Sequence, residues 1–125
     1  MVFQKDLMVG DLVRTKDGKV MRVDAVSETF LILDDRSYDN SEVDPILIEL
    51  EMLERNGFTW DGIYARLKEG RSEIEYYKHD GILREWYTHK DGRRELMAMS
   101  RPGFRYVHQL QNWLNINGIC IKIAL

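Results

Sequence analysis

A chain of 125 residues that is 44% hydrophobic can bury roughly two thirds of its unfolded surface, so it needs neither disulfides nor a metal to fold. Its formal net charge of −3 argues against a protein that coats nucleic acid, but the charge is unevenly spread. Residues 1–58 hold 7 Lys and Arg against 13 Asp and Glu, a balance of −6, whereas residues 59–125 hold 11 against 8, a balance of +3.

No charged-then-apolar leader opens the chain, and no apolar run approaches the ~20 residues of a membrane span. A cytoplasmic protein without a membrane partner is the expectation. The first elements are Val9-Gly-Asp-Leu-Val-Arg-Thr15 and Val20-Met-Arg-Val-Asp-Ala-Val26, separated by Lys16-Asp-Gly-Lys19. Asp-Gly tolerates the positive φ of tight hairpin turns, so the two runs read as a β-hairpin. A two-residue loop pairs Val13 with Arg22, and a bulged loop shifts every pairing by one. A third strand over 29–33 is followed by Asp34-Asp-Arg-Ser37 and a return through Val43 to Ile48. Four or five short strands led by Gly-Asp-x-Val suggest a small SH3-like barrel over residues 1–48, a pattern that specifies no ligand.

Pro45 keeps its predecessor extended, and Glu49 to Asn56 forms a short helix with Leu50 and Leu53 on one face. Gly57 is its stop, and Phe58 folds back as an apolar anchor. From Trp60 the period returns to two: Ile63, Ala65 and Leu67 alternate with Tyr64, Arg66 and Lys68. Strands over 73–78, 82–87 and 94–99 are joined by Lys78-His-Asp-Gly81 and His89-Lys-Asp-Gly92, which makes an antiparallel meander of three or four strands. Ser100-Arg-Pro-Gly103 breaks the sheet. In the last helix Val107, Leu110 and Leu114 recur at helical spacing, Trp113 widens the stripe, and Gly118 stands at the C-cap. The β-branched run after it reads as a closing strand at a sheet edge, with Ile119, Ile121 and Ile123 on one side and Cys120 and Lys122 on the other. Cys120, the single cysteine, reads as a small core residue. The expected fold is therefore α+β: an N-terminal SH3-like small β-barrel (1–48), then a subdomain over 49–125. The latter holds the short helix, the antiparallel β-meander, a C-terminal helix packed on that meander and the closing strand, and both parts belong to one compact unit.

Three stretches carry a resemblance. Tyr106-Val-His-Gln-Leu-Gln-Asn112 with Gly118, Leu7-x-Val-Gly-Asp-Leu-Val13, and Pro45-Ile46 with Leu53-x-x-Asn-Gly-Phe58 together resemble a family of small uncharacterised proteins abundant in Bacteroides-type bacteria and their prophages. This chain departs from the family pattern in having Asp11 where Asn is common, and in the bulk of Trp113. The resemblance implies no catalytic residues. It implies a setting among mobile-element or phage-associated accessory proteins.

The residues themselves offer little catalytic chemistry. His79 and His89 stand beside Asp80 and Asp91, but consecutive meander turns lie at opposite ends of a sheet, about 20 Å apart for six-residue strands, which counts against a metal site. His108, with Gln109, Gln111 and Asn112, lacks a nameable nucleophile or orienting partner, and reads as part of a helix face that satisfies loop carbonyls. There is no phosphate-cradling glycine loop and no nucleophile elbow, so no cofactor is expected. Glu73 and Glu75 share a strand face, as solvent-facing carboxylates commonly do.

The aromatics are the more conspicuous feature. Trp60, Tyr64, Tyr76, Tyr77, Trp86, Tyr87 and Tyr106 crowd the second half, and adjacent pairs must point to opposite faces. One sheet face should carry aromatics near arginine, giving a binding surface of Arg84, Trp86, Tyr87, Arg93 and Arg94. Such surfaces serve as protein-contact hot spots or stack single-stranded bases. The acidic balance favours protein contact. The expectation is a non-enzymatic interaction or assembly module with a protein partner or a second copy; the alternative is a nucleic-acid-binding accessory protein.

Overall fold

The computed structural model describes residues 7–125; residues 1–6, on which the leader reading falls, lie outside the described residues. Backbone contacts divide the chain into two compact units. The first joins the residues up to Leu47 with residues 106–123 and Leu125, and the second holds residues 48–105 with Ala124.

The first unit contains β1 (Leu12–Thr15), β2 (Val20–Val26), β3 (Phe30–Leu33), β4 (Arg36–Asp39) and β5 (Val43–Asp44). They form one curled, antiparallel half-barrel sheet in the order β4-β3-β2-β1-β5. Its inner face buries Val13, Val23, Leu31, Leu33 and Val43 from the strands, together with Leu7 from the segment before β1. Thr15 N–H bonds the Lys19 carbonyl at 2.9 Å, and Gly18 closes the three-residue loop at φ +89°. That glycine bulge sets the shifted register: Val13 faces Met21, and Arg22 faces Leu12. A second irregularity in β2 leaves Asp24 without a strand partner, and its carboxylate accepts the Asp34 N–H at 2.8 Å. The β3–β4 turn is Asp34-Asp35, both at positive φ (50° and 62°), as a two-residue type I′ hairpin requires.

α2 (Val107–Ile116) belongs to this unit, burying Val107, Leu110, Trp113 and Leu114. The expectation that it groups with the meander is corrected. Asn112 of α2 bonds Asp11, and Val107 N–H bonds the Ile46 carbonyl at 2.7 Å, so the helix is tied to the N-terminal residues. It ends in a Schellman motif, with Ile119 N–H on the Leu114 carbonyl, Gly118 N–H on the Asn115 carbonyl and Gly118 at φ +70°. The closing strand does not form: residues 119–125 belong to no strand or helix. Ile123 is buried as its position in the pattern requires, whereas Cys120 is exposed and is no core residue. The tail bonds side-chain amides instead of a strand.

The second unit contains α1 (Leu50–Arg55), β6 (Thr59–Trp60), β7 (Tyr64–Glu69), β8 (Ser72–Tyr77), β9 (Ile82–Thr88) and β10 (Arg94–Met99). The meander has five strands, ordered β10-β9-β8-β7-β6, one more than the sequence pattern indicated. α1 also ends in a Schellman motif, through Gly57 and Phe58, and Phe58 is buried. Its buried face is Met52 and Leu53; Leu50, in the first turn, is only half-buried. Ala65, Ile74, Tyr76 and Leu83 form the buried side of the meander. Gly81 and Gly103 let two backbones touch: a Cβ on Gly103 would sit 1.7 Å from the Asp80 carbonyl oxygen. No helix among the described residues is long and apolar enough to cross a membrane.

Candidate interaction surface

The registers of β7, β8 and β9 gather one charged face. Arg66 lies opposite Glu75 and Lys68 opposite Glu73, while across the next pairing Glu75 faces Arg84 and Glu73 faces Trp86. On β10, Leu96 faces Trp86 and Arg94 faces Thr88, which places Arg94 and Leu96 on the same side.

Glu75, 6% exposed, is the hub. It accepts from Arg66 Nε at 3.2 Å and from Trp86 Nε1 at 3.3 Å, with Arg84 Nη1 at 4.0 Å. Glu73 accepts from Arg94 Nη2 at 2.8 Å, and that guanidinium lies 4.5 Å from the Trp86 ring centroid. Arg66 also bonds Asp61 and lies 4.9 Å from the centroid of Tyr64, whose ring packs 5.2 Å from Tyr77. Opposite charges facing across strands stabilise a sheet, and planar guanidinium groups add attraction to aromatic faces. The consequence is a face whose arginines are answered within the chain.

Of the residues expected at the surface, Arg84, Trp86 and Arg94 come together here. Tyr87 does not: alternation sends it to the other face, where its ring lies 5.0 Å from His89, itself 2.7 Å from Glu95. Arg93 follows the Lys90-Asp91-Gly92 turn, and its N–H and Nε both bond Asp91, at 3.1 and 3.0 Å. Arg66 and the Glu73–Glu75 pair were missing from the sequence-derived set. The signal was available in Glu69-Gly70-Arg71-Ser72, a two-residue turn with Gly70 at φ +62° that fixes which charges face each other.

β10 ends the sheet. Its residues 94–97 are exposed, Leu96 at 43% and Met97 at 56%, and a bulge interrupts its pairing to β9 between Leu96 and Ala98.

The polar residues of α2 are engaged within their own unit. Gln109 Oε1 accepts the Tyr106 N–H at 3.1 Å, closing the helix start. Asn112 Nδ2 donates to Asp11 Oδ2 at 3.2 Å, and the Met8 N–H donates to the same oxygen at 2.8 Å. Burial pushes the Asp11 carboxyl up, against the lowering pull of Met8, Asn112 and the nearby His108. His108 is buried with its ring parallel to Tyr106 at 5.8 Å. Asp11 and Asn112 thus join residues near position 10 to the last helix. Comparison with protein-family models, curated proteins and solved structures returned no match.

Proposed function

We propose that the protein is a non-enzymatic interaction or assembly module that pairs with a second copy of itself along the outer edge of β10. The edge itself carries this reading: six residues at the end of a sheet, with Leu96 and Met97 exposed beside backbone groups that have no strand neighbour on that side among the described residues. Unguarded edges recruit further strands, and Arg94-Glu-Leu-Met-Ala-Met99 contains neither the Pro nor the Lys that commonly blunts them. Antiparallel pairing of β10 with its copy about a two-fold axis buries Leu96 and Met97 on both sides. The bulge keeps the contact short, suited to reversible assembly.

Nucleic-acid binding ranks second. Arg94 over Trp86 favours it, but Arg66, Arg84 and Arg94 already face Glu73 or Glu75. The curled sheet of the first unit is read as an SH3-like barrel. Our reading includes a cytoplasmic setting, with which the lone cysteine is compatible, and a phage or mobile-element setting suggested by the family resemblance.

Sedimentation velocity over a wide concentration range tests the proposal. A concentration-dependent dimer that Met97→Lys abolishes, and that Ile63→Lys leaves intact, supports it. A monomer at every concentration rejects it. Titration with single-stranded oligonucleotide decides the second reading, which requires binding that weakens steeply with salt and is lost in Arg94→Ala.

A further inference from the structure

We infer that the first unit contains a binding site for a small organic anion, a carboxylate with a short apolar tail, in the cavity bounded by Gly10–Leu12, Arg22, α2 and residues 122–123. The observation is independent of the β10 edge.

The cavity measures about 240 Å³. At about 30 Å³ per water this is roughly eight water volumes, room for a molecule of fewer than about ten heavy atoms. Two cations line it, Arg22 and Lys122, and neither has a carboxylate partner among the described residues. This sets them apart from Arg66, Arg93 and Arg94, each of which is answered within the chain. Arg22 Nη1 donates to the Gly10 carbonyl at 2.7 Å, which anchors the guanidinium and leaves its remaining N–H groups for a ligand. Lys122 is carried between two tail residues clamped by Gln111, through the Ile121 carbonyl and the Ile123 N–H. Asn115 Oδ1 accepts from Gln111 Nε2 at 3.1 Å, so its own amide NH2 is left to donate.

Asp11 is the one acid in the wall, and its Oδ2 is already held by Met8 and Asn112. Even with Asp11 ionised, the wall carries one net positive charge. Val9, Leu12 and Ile123 complete the lining with apolar surface. A bare inorganic anion leaves that surface unfilled, and a neutral apolar molecule leaves two cations unanswered. A short-chain carboxylate meets both.

Amide chemical-shift titration of the full chain with isovalerate tests the site, with isoamyl alcohol and inorganic phosphate as comparison ligands. Saturable shifts at Gly10, Asp11, Lys122, Ile123 and the Asn115 side chain are expected in the millimolar range, with each comparison ligand weaker by about tenfold or more. Lys122→Gln, at an exposed position outside regular structure, should weaken isovalerate by a similar factor without moving the melting transition. Arg22→Gln should do the same with a modest loss of stability. Absence of saturable shifts, equal binding of isoamyl alcohol or phosphate, or full affinity in both variants overturns the assignment.

Discussion

The side-chain amide of Gln111 accepts the Ile123 N–H at 2.7 Å and donates to the Ile121 carbonyl at 2.9 Å, giving the tail the two bonds a neighbouring strand would supply. Asn56 treats Ala124 the same way in the second unit, donating to its carbonyl and accepting its N–H, each at 2.8 Å. A backbone group leaving water needs a partner, and a carboxamide matches a peptide in offering one donor and one acceptor in fixed geometry. The tail is therefore ordered without belonging to a sheet.

Gln111→Ala removes both bonds and leaves the Ile123 N–H short of a partner. At about 1 kcal/mol net per hydrogen bond, plus desolvation of the stranded group, the expected loss is about 1–3 kcal/mol. Gln111→Glu keeps the acceptor for Ile123 and forfeits the donor to Ile121, so its loss should be smaller. Urea denaturation of the three proteins checks the order. Equal midpoints would show that the clamp adds nothing to the fold.

The misread tail shows what sequence periodicity reports. Ile119, Ile121 and Ile123 alternate as in a strand, and Ile123 is buried, but alternation records which side meets the core and not what bonds the backbone. The helices were legible through their Asn-Gly ends, and the meander through its Asp-Gly turns. The first hairpin's register needed the conformation of Gly18, because one bulged residue shifts each pairing. In the candidate surface, residues two apart on β9, Arg84 and Trp86, were bound to share a face. Tyr87 and Arg93 were lost to alternation and to the turn. The carboxylates that neutralise this face became visible only with the Gly70-Arg71 turn in place, since it alone sets Arg66 against Glu75.

Gly103→Ala should be among the most damaging single changes in the second unit. A methyl group there would meet the Asp80 carbonyl oxygen at 1.7 Å and its carbon at 2.8 Å, both backbone atoms that cannot swing aside. The same approach holds Phe104 N–H on the Gly81 carbonyl at 2.7 Å and lets Tyr76 donate its hydroxyl to the Phe104 carbonyl at 2.8 Å. The expected cost exceeds about 3 kcal/mol, beyond ordinary overpacking. Thermal unfolding followed by circular dichroism measures it, with Gly92→Ala as a reference that carries the strain of a positive φ, absent at Gly103, but has open space around it.

Glu75→Ala removes the group on which Arg66, Arg84 and Trp86 converge. Breaking a fully buried pair costs about 3–5 kcal/mol, but Arg66 and Arg84 keep side-chain exposures of 35% and 24%, so water takes over part of their solvation. The expected loss is about 1–3 kcal/mol, shrinking at high salt. Glu75→Gln retains an acceptor for Trp86 Nε1 and should preserve the tryptophan emission maximum, whereas Glu75→Ala should shift it. Indifference of both stability and fluorescence would show that the network is ornamental to the sheet.

Asp11→Asn should stabilise the protein at neutral pH. Burial raises the Asp11 carboxyl above its ordinary 3.8, outweighing the Met8 N–H, the Asn112 amide and nearby His108. A carboxyl with a raised folded pKa favours the fold in its protonated form. Its contribution is fully present below the unfolded value and is lost as pH rises through the folded one. Asn at position 11 stays neutral throughout, and its Oδ1 can accept from both Met8 and Asn112 as Asp11 Oδ2 does. The variant should therefore melt higher than the parent at neutral pH, with the gap closing as pH falls toward 3.8. Melting curves of the two proteins from acid to neutral pH provide the measurement. A parent that is the more stable at neutral pH would mean that the charge-assisted bonds from Met8 and Asn112 outweigh the cost of burying the carboxylate.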